Sequence, residues 1–395
     1  MKSKTSRRAF LSAGLAIPVL GAGSRMGLAS TSMGLLQPSE GALEKTPAAP
    51  KLEYRTLGKT GLKVTTLGFG CMITSDPSVI ERAADIGINF FDTARGYQQG
   101  NNERMVGAAL GARRKQVILC TKSEAPTVKG LQEQLETSLR ELKTDYIDIW
   151  YLHSKDRVAD VPDELIEFQQ QAKKAGKIRF AGLSTHNSQL MLPFLAQKGV
   201  FDVALVAYNF AMDATMDKAV ETAANAGIGI VGMKVMAGGF RSLKPTDPVL
   251  GKLKRDGAML AALKWTLNRP HIATTIPGMT DMEQLDENLQ AMAHPFTGSD
   301  EKILAAKLEQ IGPLYCRMCR RCDGACQKGL PVSDMLRILS YADGYKQFAL
   351  ARERFQELDA KHTAVRCGDC AECTVQCPNG VRVSARLTRA QELFG

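Results

Sequence analysis

The run VILCTKSEAPTVKGLQEQLETSLRELKTDYIDIWYLH, residues 117–153, carries the fold in miniature. A short apolar segment, VILCTK (117–122), is followed by LQEQLETSLREL (131–142), where Leu131, Leu135, Leu139 and Leu142 fall on one stripe at helical spacing. A second apolar segment, IDIWYLH (147–153), closes the unit. This strand, helix, strand alternation recurs along the chain. TTLGFG (65–70) and INFFDT (88–93) precede it, and IRFAGLS (178–184), VALVAYN (203–209), IGIVGMK (228–234) and IATTIPG (272–278) follow. Two intervening helical stretches end on Gly176 and Gly227, the residue type expected just past a helix terminus. Eight buried strands alternating with helices over about 250 residues predict a closed parallel (β/α)8 TIM barrel, with an open doubly wound sheet as the competing arrangement.

The 395 residues are 44% hydrophobic and 23% charged, which excludes disorder, a collagen repeat and a multi-span membrane protein. The net charge is +10, but residues 1–30 supply half of it through Lys2, Lys4, Arg7, Arg8 and Arg25 with no acid, so no nucleic-acid partner is implied. Those residues have the three-part layout of an export signal: a basic start, the apolar run AFLSAGLAIPVLGAG (9–23) and small residues at 27–30. The apolar run is shorter than the roughly 20 residues of a bilayer-spanning helix and contains Pro18, so a stable membrane span is not expected. Arg7-Arg8 within SRRAFL resembles the twin-arginine signal, which implies a periplasmic or otherwise exported protein. Residues 31–51, with Pro38, Pro47 and Pro50, read as a linker. The barrel then occupies 52–298, and 299–395 form a smaller, mostly helical domain.

Chemistry in such barrels sits at the carboxyl ends of the strands. Asp92, Lys122 and His153 end the second, third and fourth apolar runs, and Tyr97 lies in the loop after Asp92. Together they make a proton donor poised over a carbonyl. A phenol near pKa 10 yields its proton more readily beside an ammonium, so Lys122 is expected to lower Tyr97, Asp92 to hold Lys122, and His153 to orient the substrate oxygen or relay the proton.

These residues match a known family. YRTLGKTGLKVTTLGFG (54–70), GINFFDTARGYQQGNNERMVGAAL (87–110), GLSTHN (182–187) and IPGMTDMEQLDENL (276–289) resemble motifs of the aldo-keto reductases over roughly residues 52–295. The resemblance implies hydride transfer between NADP or NAD and a small carbonyl or sugar-like substrate, with Asp92, Tyr97, Lys122 and His153 as the catalytic tetrad and Tyr97 as general acid. It places the nicotinamide amide on Ser184 and the adenine on Glu287 and Asn288. Several positions depart from the family pattern. Leu205 stands for the usual Gln beneath the nicotinamide, Met233 for a stacking aromatic, and Gly278 and Gln284 for a Lys and an Arg that clamp the 2′-phosphate of NADP. Lys234 and Arg241 are near enough in the chain to replace those charges.

The tail carries eight of the ten cysteines: Cys316, Cys319, Cys322 and Cys326, then Cys367, Cys370, Cys373 and Cys377. Each recurs at an offset of 51, as do Gly329 and Gly380, Val332 and Val383, Ser333 and Ser384, Leu336 and Leu387, an internal duplication. The spacing Cys-x2-Cys-x2-Cys-x3-Cys suits a cubane better than a tetrahedral zinc site. It resembles the dicluster ferredoxins, which implies two [4Fe-4S] clusters with crossed ligation: Cys316, Cys319, Cys322 and Cys377 for one, Cys367, Cys370, Cys373 and Cys326 for the other. Residues 313–395 hold 13 bases against 9 acids, an excess that offsets two anionic clusters. Cys71 and Cys120 fall in predicted strands as ordinary packing thiols.

Hydride transfer moves two electrons and a cluster takes one, so two readings stand. One is an exported aldo-keto reductase-type oxidoreductase, with or without electron exchange to a quinone-linked or cytochrome partner. The other is an iron-sulfur electron-transfer protein whose barrel is a binding scaffold.

Overall fold

In the computed structural model, residues 51–239 and 257–395 are described; the segments expected to be an export signal and a linker, up to residue 50, and Arg241 lie outside them. From Ala49 onward the chain forms one compact unit. An antiparallel hairpin of β1 (Tyr54–Thr56) and β2 (Lys63–Thr65) comes first. Eight parallel strands follow: β3 (Phe69–Gly70), β4 (Phe90–Asp92), β5 (Ile118–Ser123), β6 (Ile147–Leu152), β7 (Ile178–Thr185), β8 (Val203–Ala207), β9 (Gly229–Met233) and β10 (Ile272–Thr275). Each lies within or overlaps one of the eight apolar runs, and all but Met233 are buried end to end apart from the start of β7. That is why they read as continuous apolar segments rather than alternating ones.

The strand order runs unbroken from β3 to β10, and the first and last strands meet. Gly68 N donates to Thr275 O at 2.8 Å, Thr275 N to Thr66 O at 3.0 Å, and Gly70 N to Pro277 O at 3.0 Å. Closure makes this a barrel and excludes the open sheet. Glycine is needed at the seam: a Cβ on Gly70 would stand 2.5 Å from Ile276 O. Two side-chain layers result. Leu57, Phe90, Ile149, Tyr151, Leu205 and Val231 belong to a cluster inside the barrel, and a larger cluster joins strands to the outer helices.

After the barrel, helix Gly298–Ile311 packs on helix Ala258–Leu267. The cysteine-bearing segments then lead into helices Val332–Asp343 and Val383–Phe394, two copies of one element at the offset of 51. The duplication extends to local bonds. Gly329 N donates to Cys326 O at 2.9 Å and Gly380 N to Cys377 O at 3.1 Å, both glycines having left-handed φ (68° and 77°). Helices Val332–Asp343 and Phe348–Gln356 roof the carboxyl ends of the strands. Met72 packs into the roof's core, and Asn209 Nδ2 donates to Tyr315 OH at 2.9 Å. A Cβ on Gly344 would stand 1.7 Å from Gly238 O, so Gly344 cannot carry a larger residue without a backbone shift.

Because Gly70 closes the seam against backbone, Gly70→Ala is expected to destabilise the protein by about 1–3 kcal/mol, read as a lowered thermal midpoint. An unchanged midpoint would mean the seam is loose.

Candidate active site at the barrel mouth

Register brings the polar strand ends together. β4 pairs with β5 through Asp92 and Cys120, so Lys122, two residues on, rises beside Asp92. Lys122 Nζ donates to Asp92 Oδ1, to Thr93 O at 2.6 Å and to Tyr97 OH at 3.3 Å, and it lies 4.8 Å from the centre of the Tyr97 ring. Tyr97 is aimed inward by a strained turn in which Gln98 and Gln99 both have left-handed φ, 50° and 54°. Gln98 Nε2 anchors that turn to Thr74 O at 2.8 Å. His153, just past β6, stands edge-on to Tyr97 with ring centres 5.9 Å apart.

The electrostatics correct one expectation. Burial pushes the Tyr97 hydroxyl up to about 12, and Lys122 recovers only part of that, because Asp92 offsets the ammonium. Tyr97 is therefore a protonated acid at neutral pH, not a lowered phenol. Burial would discharge Lys122, but Asp92 and Tyr97 outweigh it and hold the ammonium above its ordinary value. Burial keeps His153 below its ordinary value against the pull of Glu124, so the ring is neutral.

Two residues at this point went unseen in the sequence. Glu124 Oε1 lies 3.0 Å from His153 Nδ1, and Arg354 of the roof reaches Glu124 Oε2 at 3.1 Å. Burial works against ionisation of Glu124, but His153 and Arg354 prevail and hold it well below the carboxylate range. Glu124 is legible in retrospect, two residues beyond Lys122 at the same strand end. Arg354, 230 positions away, left no such signal.

Barrel and roof enclose a cavity of about 770 Å³, within the range of small-molecule and cofactor sites. Asp92, Tyr97 and His153 line it, as do Ser184, Lys234, Gly278, Glu287 and Asn288, with Lys122 behind Tyr97. Ser184 Oγ accepts from Ser154 N at 2.9 Å, which leaves its own proton to donate. Leu205 is buried inside the barrel and Met233 lines the cavity, so neither supplies a polar or aromatic contact. Lys234 Nζ is engaged by Tyr341 of the roof. The end of the cavity formed by Gly278, Gln284, Glu287 and Asn288 is neutral or acidic, and the Gln284 amide is occupied by Thr280 and Asp281.

The tail thiols lie near one another across the two copies of the repeat. Cys326 lines a cavity of about 160 Å³ together with Cys367, Cys370 and Cys373. Burial pushes Cys322 up to about 11, and the nearby Cys319 and Cys377 add to the shift. Burial likewise pushes Cys316 up to about 12, with Cys322 and Cys319 contributing. Met318 N donates to Cys316 Sγ at 3.4 Å and Asn379 Nδ2 to Cys319 Sγ at 3.6 Å. Among the described residues, no three Cys, His, Asp or Glu side chains converge tightly enough to hold a single metal ion. Cys71 and Cys120 are buried packing thiols.

A closed parallel barrel with these groups at its carboxyl end defines an oxidoreductase-type site, and comparison with known proteins agrees. The Aldo/keto reductase family profile matches residues 75–309, and the chain belongs to that family. The uncharacterized oxidoreductase YqkF of Bacillus subtilis is 28% identical, covering 66% of this chain and 97% of its own. L-galactose dehydrogenase of Arabidopsis thaliana is 27% identical over 65% of this chain and 93% of its own. The solved aldo-keto reductase AKR11C1 from Bacillus halodurans, holo form, aligns with a TM-score of 0.57 at 28% identity, over 65% of this chain and 96% of that one. The protein is an NAD(P)-linked oxidoreductase. The cysteine-bearing tail lies beyond the matched family segment. Among the described residues no helix is long and apolar enough to cross a membrane.

Asp92 Oδ2 is buried without a hydrogen-bond partner, so its carboxylate depends on Lys122. Lys122→Met is expected to cost about 3–5 kcal/mol in denaturant unfolding by leaving that charge uncompensated, and the double variant with Asp92→Asn to cost less than the sum of the two single losses. Additive losses in the double variant would show that the two groups are independent.

Proposed function

We propose that the protein interconverts a carbonyl and an alcohol on a small, sugar-like substrate in the roofed cavity, with Tyr97 as the general acid. The observation that carries this is Lys122 bonded at once to Asp92 and to the Tyr97 hydroxyl inside the cavity. A bound nicotinamide supplies or accepts the hydride. Tyr97, protonated at rest, gives its proton to the carbonyl oxygen in the reducing direction. The phenolate it leaves is then stabilised by Lys122, which reaches that oxygen at 3.3 Å while remaining paired with Asp92. Neutral His153, steadied by Glu124 and Arg354, orients the substrate oxygen.

The residues present fit a nicotinamide nucleotide. Ser184 has a free donor for the amide, and Glu287 and Asn288 stand at the far end for the adenine.

The tail also fits its group. Cys316, Cys319, Cys322 and Cys377 would hold one [4Fe-4S] cluster and Cys367, Cys370, Cys373 and Cys326 the second. The Cys-x2-Cys-x2-Cys-x3-Cys spacing, present twice, favours clusters over zinc. Such clusters supply one-electron transfer, here toward a quinone-linked or cytochrome partner. Release of protons from the raised thiols makes cluster assembly weaker at low pH. Export by the twin-arginine route, with cofactors already bound, completes the reading.

Tyr97→Phe is expected to lower kcat for NAD(P)H-dependent carbonyl reduction by roughly 10²–10⁴-fold; unchanged turnover would overturn the assignment. Cys326→Ser should reduce anaerobically measured iron from about eight to about four per chain, and electron paramagnetic resonance should show the surviving signal unaltered. Loss of the other cluster instead would contradict the crossed ligation.

A further inference from the structure

The roof places a second tyrosine-lysine pair on the same cavity. Tyr341, in helix Val332–Asp343, accepts from Lys234 Nζ at 3.2 Å and from Arg337 NH1 at 3.1 Å. Lys234 Nζ lies 4.7 Å from the centre of its ring. The matching values at Tyr97 are 3.3 Å and 4.8 Å. Both hydroxyls belong to residues lining one cavity, and a charge on Tyr341 is felt at Tyr97. Lys234 is held at a left-handed φ of 57°, a strained placement for a non-glycine residue.

What differs is the third group. Lys122 is answered by Asp92, whereas Lys234 is joined by a second cation, Arg337. The carboxylate nearest Arg337, Asp334, lies 3.4 Å from it and is shared with Arg320, which it pairs at 3.1 Å. Asp156 and His186, paired with each other at 3.3 Å, also act on Arg337, and Tyr345 stacks on Tyr341 at 6.3 Å with its ring tilted. Burial raises the Tyr341 hydroxyl, but Lys234 and Arg337 outweigh it and bring it down to about 7, against about 12 for Tyr97. Two like groups driven apart by their surroundings are fitted to opposite halves of an acid-base reaction.

We propose that Tyr341 is a catalytic base that removes the proton from the carbon next to the carbonyl protonated by Tyr97, so that the cavity enolises α-hydroxy aldehydes and ketones. The C–H bond breaks, its electron pair becomes the C=C bond of an enediol, and the carbonyl π pair takes the Tyr97 proton. Tyr341 ends as phenol and Tyr97 as phenolate. Return of a proton to either carbon, with Tyr97 recovering its own from the enediol oxygen, restores both residues. No electron leaves the substrate, so no oxidant or reductant is required. Lys122, Lys234 and Arg337 surround the charge that develops. The proposal rests on Tyr97 being the proton donor to the carbonyl.

The test uses the full chain with glyceraldehyde, dihydroxyacetone and erythrulose. Each is assayed for reduction by NADH and NADPH. The same compounds are then incubated in D2O with oxidised nicotinamide only, and deuterium at the α-carbon is followed by NMR. A compound that is reduced should also exchange, and Tyr341→Phe should slow its exchange at least 10²-fold. Lys234→Gln, which removes one of the two cations facing Tyr341, should move the half-maximal exchange to higher pH. Exchange at the wild-type rate in Tyr341→Phe, an unshifted profile in Lys234→Gln, or reduction without exchange would overturn the proposal while leaving Tyr97 in its role. Reduction of none of the three would sink the carbonyl reading and this inference with it.

Discussion

A charged lysine buried at the end of a strand is the constraint around which this site is organised. Lys122 is 1% exposed, and an ammonium out of water needs a partner and further acceptors to remain ionised. Asp92 on the neighbouring strand and the Thr93 carbonyl supply them, and the parallel register of β4 and β5 brings them within reach. The same burial that makes the pair indispensable also keeps Tyr97 protonated. The acid is thus set by competition between desolvation and a charge that Asp92 has largely spoken for.

The roof completes what the barrel begins. Its helices bury the mouth, contribute Arg354 to steady Glu124 and His153, and present Tyr341 between two cations. The cysteine-bearing part of the chain therefore also shapes the cavity at the barrel mouth. Tyr315, next to Cys316, accepts from Asn209 Nδ2 after β8, and the same amide donates to the Lys234 carbonyl. Cysteine loops and barrel loops share side chains at a single seam.

Much of this was legible in the chain. The strands showed because both faces are covered and each run is uniformly apolar, and Asp92, Lys122 and His153 stood out as polar residues ending such runs. The 51-residue duplication showed in the repeated cysteines and in pairs such as Gly329 and Gly380, and the structure adds that each copy ends in a glycine turn and a helix. The first strand was less legible: an apolar run over 65–70 yields only Phe69–Gly70, because the glycines there serve the seam with β10. The state of Tyr97 was misread, since a lone lysine suggests a lowered phenol, whereas the burial that reverses the shift comes from distant helices. Tyr341 and Arg337 lie four apart on one helix, yet the Lys234 that gives them meaning is about a hundred residues away. Contacts across the two parts of the chain carry no local pattern.

The central claim is that this cavity holds a nicotinamide nucleotide against Tyr97. Its most direct test is to purify the full chain without oxygen, denature it, identify any released nucleotide by mass spectrometry, and titrate the emptied protein with NADH and NADPH by fluorescence. The account predicts about one nucleotide per chain, released or rebound. A protein that neither releases nor binds either nucleotide would contradict it.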